Sequence, residues 1–226
     1  MVMNRIRQQA ADIFFPQGNA CHLCGRYPPQ PGLLCDGCMD ALQKLRYGRL
    51  RMAASAPHPQ LTVCLAAWPH RAQARELVHL LKYGSDCFAA GLLGEGMAAV
   101  LAASPLRPER IDAVMPVPLH ASRLRQRGYN QAFLLAQAVC SHTQLSLLDG
   151  VLVRVHATDT QIRRGRVERL LAMQHAFAVT DAQAVRGGHI LLVDDVLTTG
   201  ATAMSCAQAL MAAGAEGVSL LTACRS

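Results

Sequence analysis

The chain has 226 residues, 51% of them hydrophobic and 16% charged, with a net charge of +7. That length suits one α/β core of roughly 150 to 190 residues plus a small extra module, and the composition excludes a disordered chain. Of the 22 basic residues all but Lys44 and Lys82 are arginine, a side chain suited to bidentate recognition of phosphate and carboxylate. Genomic base composition would produce the same bias, so local clusters carry more weight than the total. The N-terminal MVMNRIRQQAADIFF has no apolar core and no cleavage pattern. No uncharged run approaches the roughly 18 to 20 residues that span a bilayer. A cytoplasmic protein without membrane insertion is expected, with its nine cysteines kept reduced.

The first predicted element is a cysteine module. NACHLCGRYPPQPGLLCDGCMD, residues 19 to 40, reads C-x2-C, ten residues, C-x2-C. Two such turns aim four thiolates, Cys21, Cys24, Cys35 and Cys38, at one tetrahedral ion and leave no open coordination position, which predicts structural zinc. Gly25 and Gly37 are expected to relax the turns, and His22 to face solvent. A thioredoxin-like motif would explain one C-x2-C but not two. The module is too small to bury much apolar surface, so zinc binding of roughly 10 to 16 kcal/mol would be most of its folding free energy. The remaining cysteines, Cys64, Cys87, Cys140, Cys206 and Cys224, fall in apolar segments and read as small core residues.

LRMAASAPHPQ, 50 to 60, is aperiodic and proline-bearing, a linker. The domain division expected is 1–50 for the module, 51–60 for the linker and 61–226 for the α/β domain. A strand is predicted over 61–68, helices over 71–84 and through GLLGEGMAAVLAA, and a buried strand over 111–118. A helix follows from Gly128, with Phe133, Ala136 and Cys140 on one face, then a strand over 151–155. The polar, arginine-bearing stretch 156–169 is long for a connector and reads as a functional loop. The strand 189–195, a helix ending before Gly214 and the strand 218–224 complete the chain. Strands alternating with helices predict parallel pairing through right-handed crossovers.

In such sheets ligands bind beyond the carboxyl ends of the strands. The segment ILLVDDVLTTGAT, 190 to 202, ends a buried strand in Asp194 and Asp195 and then opens a helix. Unpaired N–H groups at that helix start, the hydroxyls of Thr198, Thr199 and Thr202, and the close approach allowed by Gly200 beside Ala201 would cradle a monoester phosphate. No nucleoside-triphosphate P-loop pattern is present. The acid pair beside the cradle suits a ribose diol or hydrated Mg2+. Arg123, Arg125 and Arg127 alternate and would face one way if extended. With Arg163, Arg164 and Arg166 they would meet a second, more highly charged anion such as pyrophosphate. A capping Asp beside a surface Asp, and arginines on solvated faces, are the plainer readings of the same residues.

These residues resemble the phosphoribosyl-pyrophosphate motif of type I phosphoribosyltransferases. LKYG at 81–84, MPVPLHASRLRQRGYNQAFLLA at 115–136, the Thr158 to Gln161 element and the cysteine module make the chain similar to the ComF/GntX family. Ala172 departs from the Asn common there. The resemblance implies a type I phosphoribosyltransferase-like parallel sheet flanked by helices behind a zinc module, and a role in competence-associated DNA uptake or the use of DNA as nutrient. It implies ribose and metal-shell contacts at Asp194 and Asp195 and a 5-phosphate at Thr198 to Thr202. It also implies a pyrophosphate loop at Val117, Pro118, Leu119 and His120, a hood over 156–169, and membership of Lys82 and Tyr83 in the signature without a stated chemistry. Two functions stay open: an Mg-dependent phosphoribosyltransferase, and a non-catalytic accessory protein whose partner is single-stranded DNA or a DNA-processing protein.

Overall fold

The computed structural model describes residues 20–26, 34–46, 61–83, 87–106, 108–155 and 176–226. The expected linker 51–60, the hood 156–169 with Arg163, Arg164 and Arg166, and the departure at Ala172 lie outside the described residues. The elements in chain order are α1 (Asp36–Leu45), β1 (Cys64–Pro69), α2 (Ala72–Tyr83), α3 (Cys87–Ala103), β2 (Ala113–Pro116), α4 (Ala121–Arg127), α5 (Gln131–Thr143), β3 (Leu152–Arg154), β4 (Phe177–Val179), β5 (His189–Leu197), α6 (Ala201–Ala212) and β6 (Gly217–Arg225).

Four strands form one sheet in the order β1-β6-β5-β2, every pair parallel. The pleat sends successive side chains to opposite faces, and both faces are covered. Leu191 and Val193 of β5, with Leu221 and Ala223 of β6, join the core beneath α2, α3 and α5. Ile190 and Leu192, with Val218 and Leu220, join the core beneath α6. This explains why β5 reads as a continuous apolar run. The strand 151–155 does not enter this sheet, contrary to the reading from its composition. Its β3 portion pairs antiparallel with β4 in a separate two-stranded ribbon, in which Val153 and Arg154 are only half-buried.

Helix α5 buries Ala132, Leu135, Ala136 and Val139; Phe133 and Cys140 lie at the margin of that face, so the core stripe is turned from the one expected. Gly214, at φ +99° just past the α6 cap, ends that helix as expected. Cys64, Cys206 and Cys224 are buried and Cys140 is partly so.

Two glycines of α3 allow close approach, Gly94 to α5 and Gly96 to the Trp68 ring of β1. A Cβ at Gly94 would lie 2.3 Å from that of Ala138, and one at Gly96 would lie 2.0 Å from the Trp68 ring. In an exposed helix Gly→Ala gains about 1 kcal/mol. At Gly96 the sign reverses: Gly96→Ala must displace Trp68, an overpacking cost of about 1–3 kcal/mol or more. Urea denaturation is expected to show a lower midpoint for Gly96→Ala, and an unchanged or higher midpoint would show that the ring yields freely.

Candidate functional site

The four module cysteines converge. Their sulfurs all lie within 4.8 Å of one another, and those of Cys24 and Cys35 are 3.6 Å apart. Four bonds of about 2.3 Å to a tetrahedral ion would set sulfurs about 3.8 Å apart, so the cluster fits such an ion. The first pair lies on a turn in which Gly25, at φ +69°, donates its N–H to the Cys21 carbonyl at 2.8 Å. The second pair uses a helix: Cys35 is the N-cap of α1 and Cys38 lies in its first turn. Gly37 is therefore an ordinary helical residue and not a relaxed turn position. His22 is partly exposed, packs edge-on against Phe88 at 5.3 Å and lies outside the four-cysteine cluster.

Burial opposes ionisation of Cys21, but backbone N–H groups of Cys35, Cys24 and Leu23 outweigh it and bring the thiol down to about 6. Burial, then hydrogen bonding with the neighbouring thiols, pushes Cys38 up. Metal binding by four thiols held this close together would release their protons. The module is also continuous with the main core. Cys21, Leu34 and Leu42 pack into the α2/α3 cluster, and the Trp68 indole donates to the Leu42 carbonyl at 2.9 Å.

The second site lies where β2 and β5 part company. The last link between them is the Val117 N–H to the Val193 carbonyl at 2.9 Å, whereas β5 continues alongside β6 to Leu197. Asp194 and Asp195 thus lie inside β5 and not at its end, in the stretch that β2 leaves uncovered. The pleat points them to opposite faces. Asp195 turns toward α2, where its Oδ2 is 2.9 Å from Lys82 Nζ. Asp194 turns toward α6 and the ribbon, and its Oδ1 accepts from the Asp195 N–H at 2.8 Å. Burial, then the Asp195 charge, pushes the Asp194 carboxyl well above the usual range.

Around these acids is a cleft of about 600 Å³. Lys82 and Tyr83 of α2, the Val117–Leu119 loop, Arg123 and Arg127 of α4, Arg154 of β3, and Thr202 line it. A smaller hollow of about 40 Å³ is formed by Thr198, Thr199, Gly200, Ala201 and Thr202 at the start of α6. Asp194 and Thr202 border both spaces. Gly200, at φ +77°, makes the loop's turn into the helix.

The arginines on α4 are helical, not extended. His120 caps the helix by accepting from the Ser122 N–H at 3.2 Å, and Gly128, at φ +82°, closes it. One turn of helix separates Arg123 from Arg127, so these two share the cleft face while Arg125 does not line the cleft. His120 serves as that cap and is not part of the cleft lining.

The RGYNQ segment braces the cleft instead of merely starting a helix. Arg127 donates to the Gln131 side chain, and the Tyr129 hydroxyl to the Leu81 carbonyl. Asn130 caps α5 and donates to the Val117 carbonyl at 3.1 Å. The end of α2, the β2 exit and α5 are thereby tied together. Sequence reasoning missed Gln126, Tyr129 and Gln131 as lining residues, and with them the charged residue Arg154. It is carried on the ribbon, stacks over Phe177 at 5.5 Å, and is lowered in pKa by burial and then by nearby Arg123. Its signal was a lone charge in the otherwise apolar VLVRV.

The described residues thus form a covered parallel α/β sheet in which an acid pair, a threonine- and glycine-bearing loop and three arginines gather beyond the end of β2. The chain is 31% identical over 211 residues to DNA utilization protein YhgH of Salmonella typhimurium, covering 91% of this chain and 84% of the relative. It is 27% identical over 212 residues to Competence protein ComFC of Bacillus subtilis, covering 92% and 79%. The chain belongs to the family of these DNA-utilization and competence proteins. No protein-family model matches it. Among solved structures, glutamine phosphoribosylpyrophosphate amidotransferase from B. subtilis aligns with a TM-score of 0.44 at 18% identity, over 63% of this chain and 30% of that one. Hypoxanthine phosphoribosyl transferase of Trypanosoma cruzi aligns with a TM-score of 0.36 at 13% identity, over 66% and 64%. Among the described residues no helix is long and apolar enough to cross a membrane.

Proposed function

We propose that the cleft binds 5-phosphoribosyl 1-pyrophosphate or a related ribose phosphate, and that the protein serves DNA uptake or the use of DNA as nutrient, a reading supported by relatives named for DNA utilization and competence. The observation that carries the reading is that the phosphate-sized hollow and the arginine-lined cleft meet at Asp194 and Thr202. A monoester phosphate would sit on the Thr198–Thr202 loop, the ribose hydroxyls on the acid pair, and a pyrophosphate between Arg123 and Arg154. Zinc would close the cysteine cluster. Mg2+ would arrive with the ligand and neutralise pyrophosphate oxygens.

The reaction such a site supports is displacement of pyrophosphate from the anomeric carbon by a nucleophile. The chain contributes position and electrostatics: carboxylates near a sugar that gains positive charge, and cations around the departing group. Isothermal titration with phosphoribosyl pyrophosphate and Mg2+ is expected to show binding that Asp195→Asn weakens at least about tenfold, the scale of one charged hydrogen bond. Absence of binding by the unaltered protein would refute the reading. The exposure of Arg123 and Arg125 on α4 favours a second reading, a non-catalytic nucleic-acid contact. Gel shifts with single-stranded DNA that vanish at moderate salt on removing both charges would support it.

A further inference from the structure

The end of α2 places Lys82 against Asp195, with Nζ 2.9 Å from Oδ2. Only 8% of the Asp195 side chain is exposed, against 26% for Lys82. In so sheltered a pair, losing one partner strands the other's charge. Both ends are held in place. Leu81, beside Lys82, receives the Tyr129 hydroxyl, and Asp195 sits within the stretch of β5 that is paired with β6.

A divalent cation at the acid pair would need carboxylate oxygens and would surrender its own water reluctantly. Two of those oxygens already face a donor group: Asp195 Oδ2 has the Lys82 ammonium 2.9 Å away as an ion pair without hydrogen-bond alignment, and Asp194 Oδ1 accepts from the Asp195 N–H. The ammonium is a compact charge with three N–H donors, and Lys82 borders the cleft itself. It can therefore hold Asp195 and still donate toward a ligand hydroxyl.

We propose, resting on the ribose phosphate reading above, that Lys82 is the built-in counter-ion of Asp195. The ribose hydroxyls are received at the acid pair without a divalent cation, and Mg2+ enters only with a ligand that brings its own chelating pyrophosphate. Lys82 is a positioning residue for the carboxylate.

Ribose 5-phosphate isolates this role, because it carries the monoester and the diol but no pyrophosphate. The full-length, zinc-loaded protein is titrated with it in Mg2+-free buffer made without chelator, which leaves the cysteine cluster undisturbed, and again with Mg2+ added. The unaltered protein is expected to bind with the same affinity in both buffers to within about twofold. Lys82→Met is expected to bind at least about tenfold more weakly without Mg2+ and to recover part of the loss when Mg2+ is added. A rise of about tenfold or more with Mg2+ in the unaltered protein overturns the proposal, as does undiminished Mg2+-free binding by Lys82→Met. The comparison on the unaltered protein stands even if the variant fails to fold. Phosphoribosyl pyrophosphate titrated in parallel separates the two readings. If it binds while ribose 5-phosphate needs Mg2+ or does not bind, the Lys82 role alone is overturned; if neither ligand binds, both are.

Discussion

If zinc closes the cysteine cluster as proposed, replacing Cys35 with serine, or removing the metal with a chelator, is expected to shift the emission of Trp68 to longer wavelength and release α1 from the core. Trp68 is the chain's single tryptophan, 3% exposed, and its indole N–H ends on the Leu42 carbonyl of α1. It therefore reports the docking of the cysteine module directly. Zinc contributes about 10–16 kcal/mol to modules of this kind, as much as the whole net stability of a typical domain, about 5–15 kcal/mol. Without it, the docking of α1 would rest on the burial of Leu34 and Leu42 and the Trp68 hydrogen bond. Because those residues share a core with Leu77 and Leu81 of α2, the disturbance should reach the cleft wall that carries Lys82. Emission spectra of the zinc-loaded, chelated and Cys35→Ser proteins test this. An unshifted spectrum from protein verified free of metal would show that the module docks without it.

The double variant Arg123→Ala/Arg154→Met is expected to lose phosphoribosyl pyrophosphate affinity by a factor on the order of 10² to 10⁴, at about 1.5–3 kcal/mol for each charged hydrogen bond. Ribose 5-phosphate affinity should fall by less than about tenfold, since its one phosphate would sit on the Thr198–Thr202 loop. Burial and then the nearby Arg123 charge oppose the charge of Arg154, an arrangement suited to receiving an anion. Thermal stability should therefore not fall with affinity, and methionine keeps an apolar stem against Phe177. Equal losses for both ligands in parallel titrations would place these arginines outside any pyrophosphate subsite.

What the sequence made legible was local. The run ILLVDDVL announces a strand covered on both faces, and TTGAT announces a helix start with a glycine turn, because each depends on neighbours a few residues away. The cysteine spacing was legible for the same reason, although the helix that supplies Cys35 and Cys38 was not. The opposite orientation of Asp194 and Asp195 follows from the pleat once the strand is known to run to Leu197. The rest depended on contacts distant in the chain. Whether Arg123 and Arg127 share a face turned on the His120 and Gly128 caps, which favour helix over extended chain. Arg154 reaches the cleft only because β3 pairs with β4 across the whole 156–175 segment, and Lys82 meets Asp195 only because the order β1-β6-β5-β2 brings the end of α2 over β5.

The central claim is that one continuous site takes a ribose phosphate through its phosphate loop, its acid pair and its basic wall together. A crystal structure of the full chain with phosphoribosyl pyrophosphate and Mg2+ tests it most directly. The account predicts the 5-phosphate within hydrogen-bond reach of the backbone N–H groups from Gly200 to Thr202, the ribose hydroxyls facing Asp194 and Asp195, and the pyrophosphate between Arg123 and Arg154. Saturating ligand that leaves this cleft empty, or that binds with its monoester away from the Thr198–Thr202 loop, would contradict it.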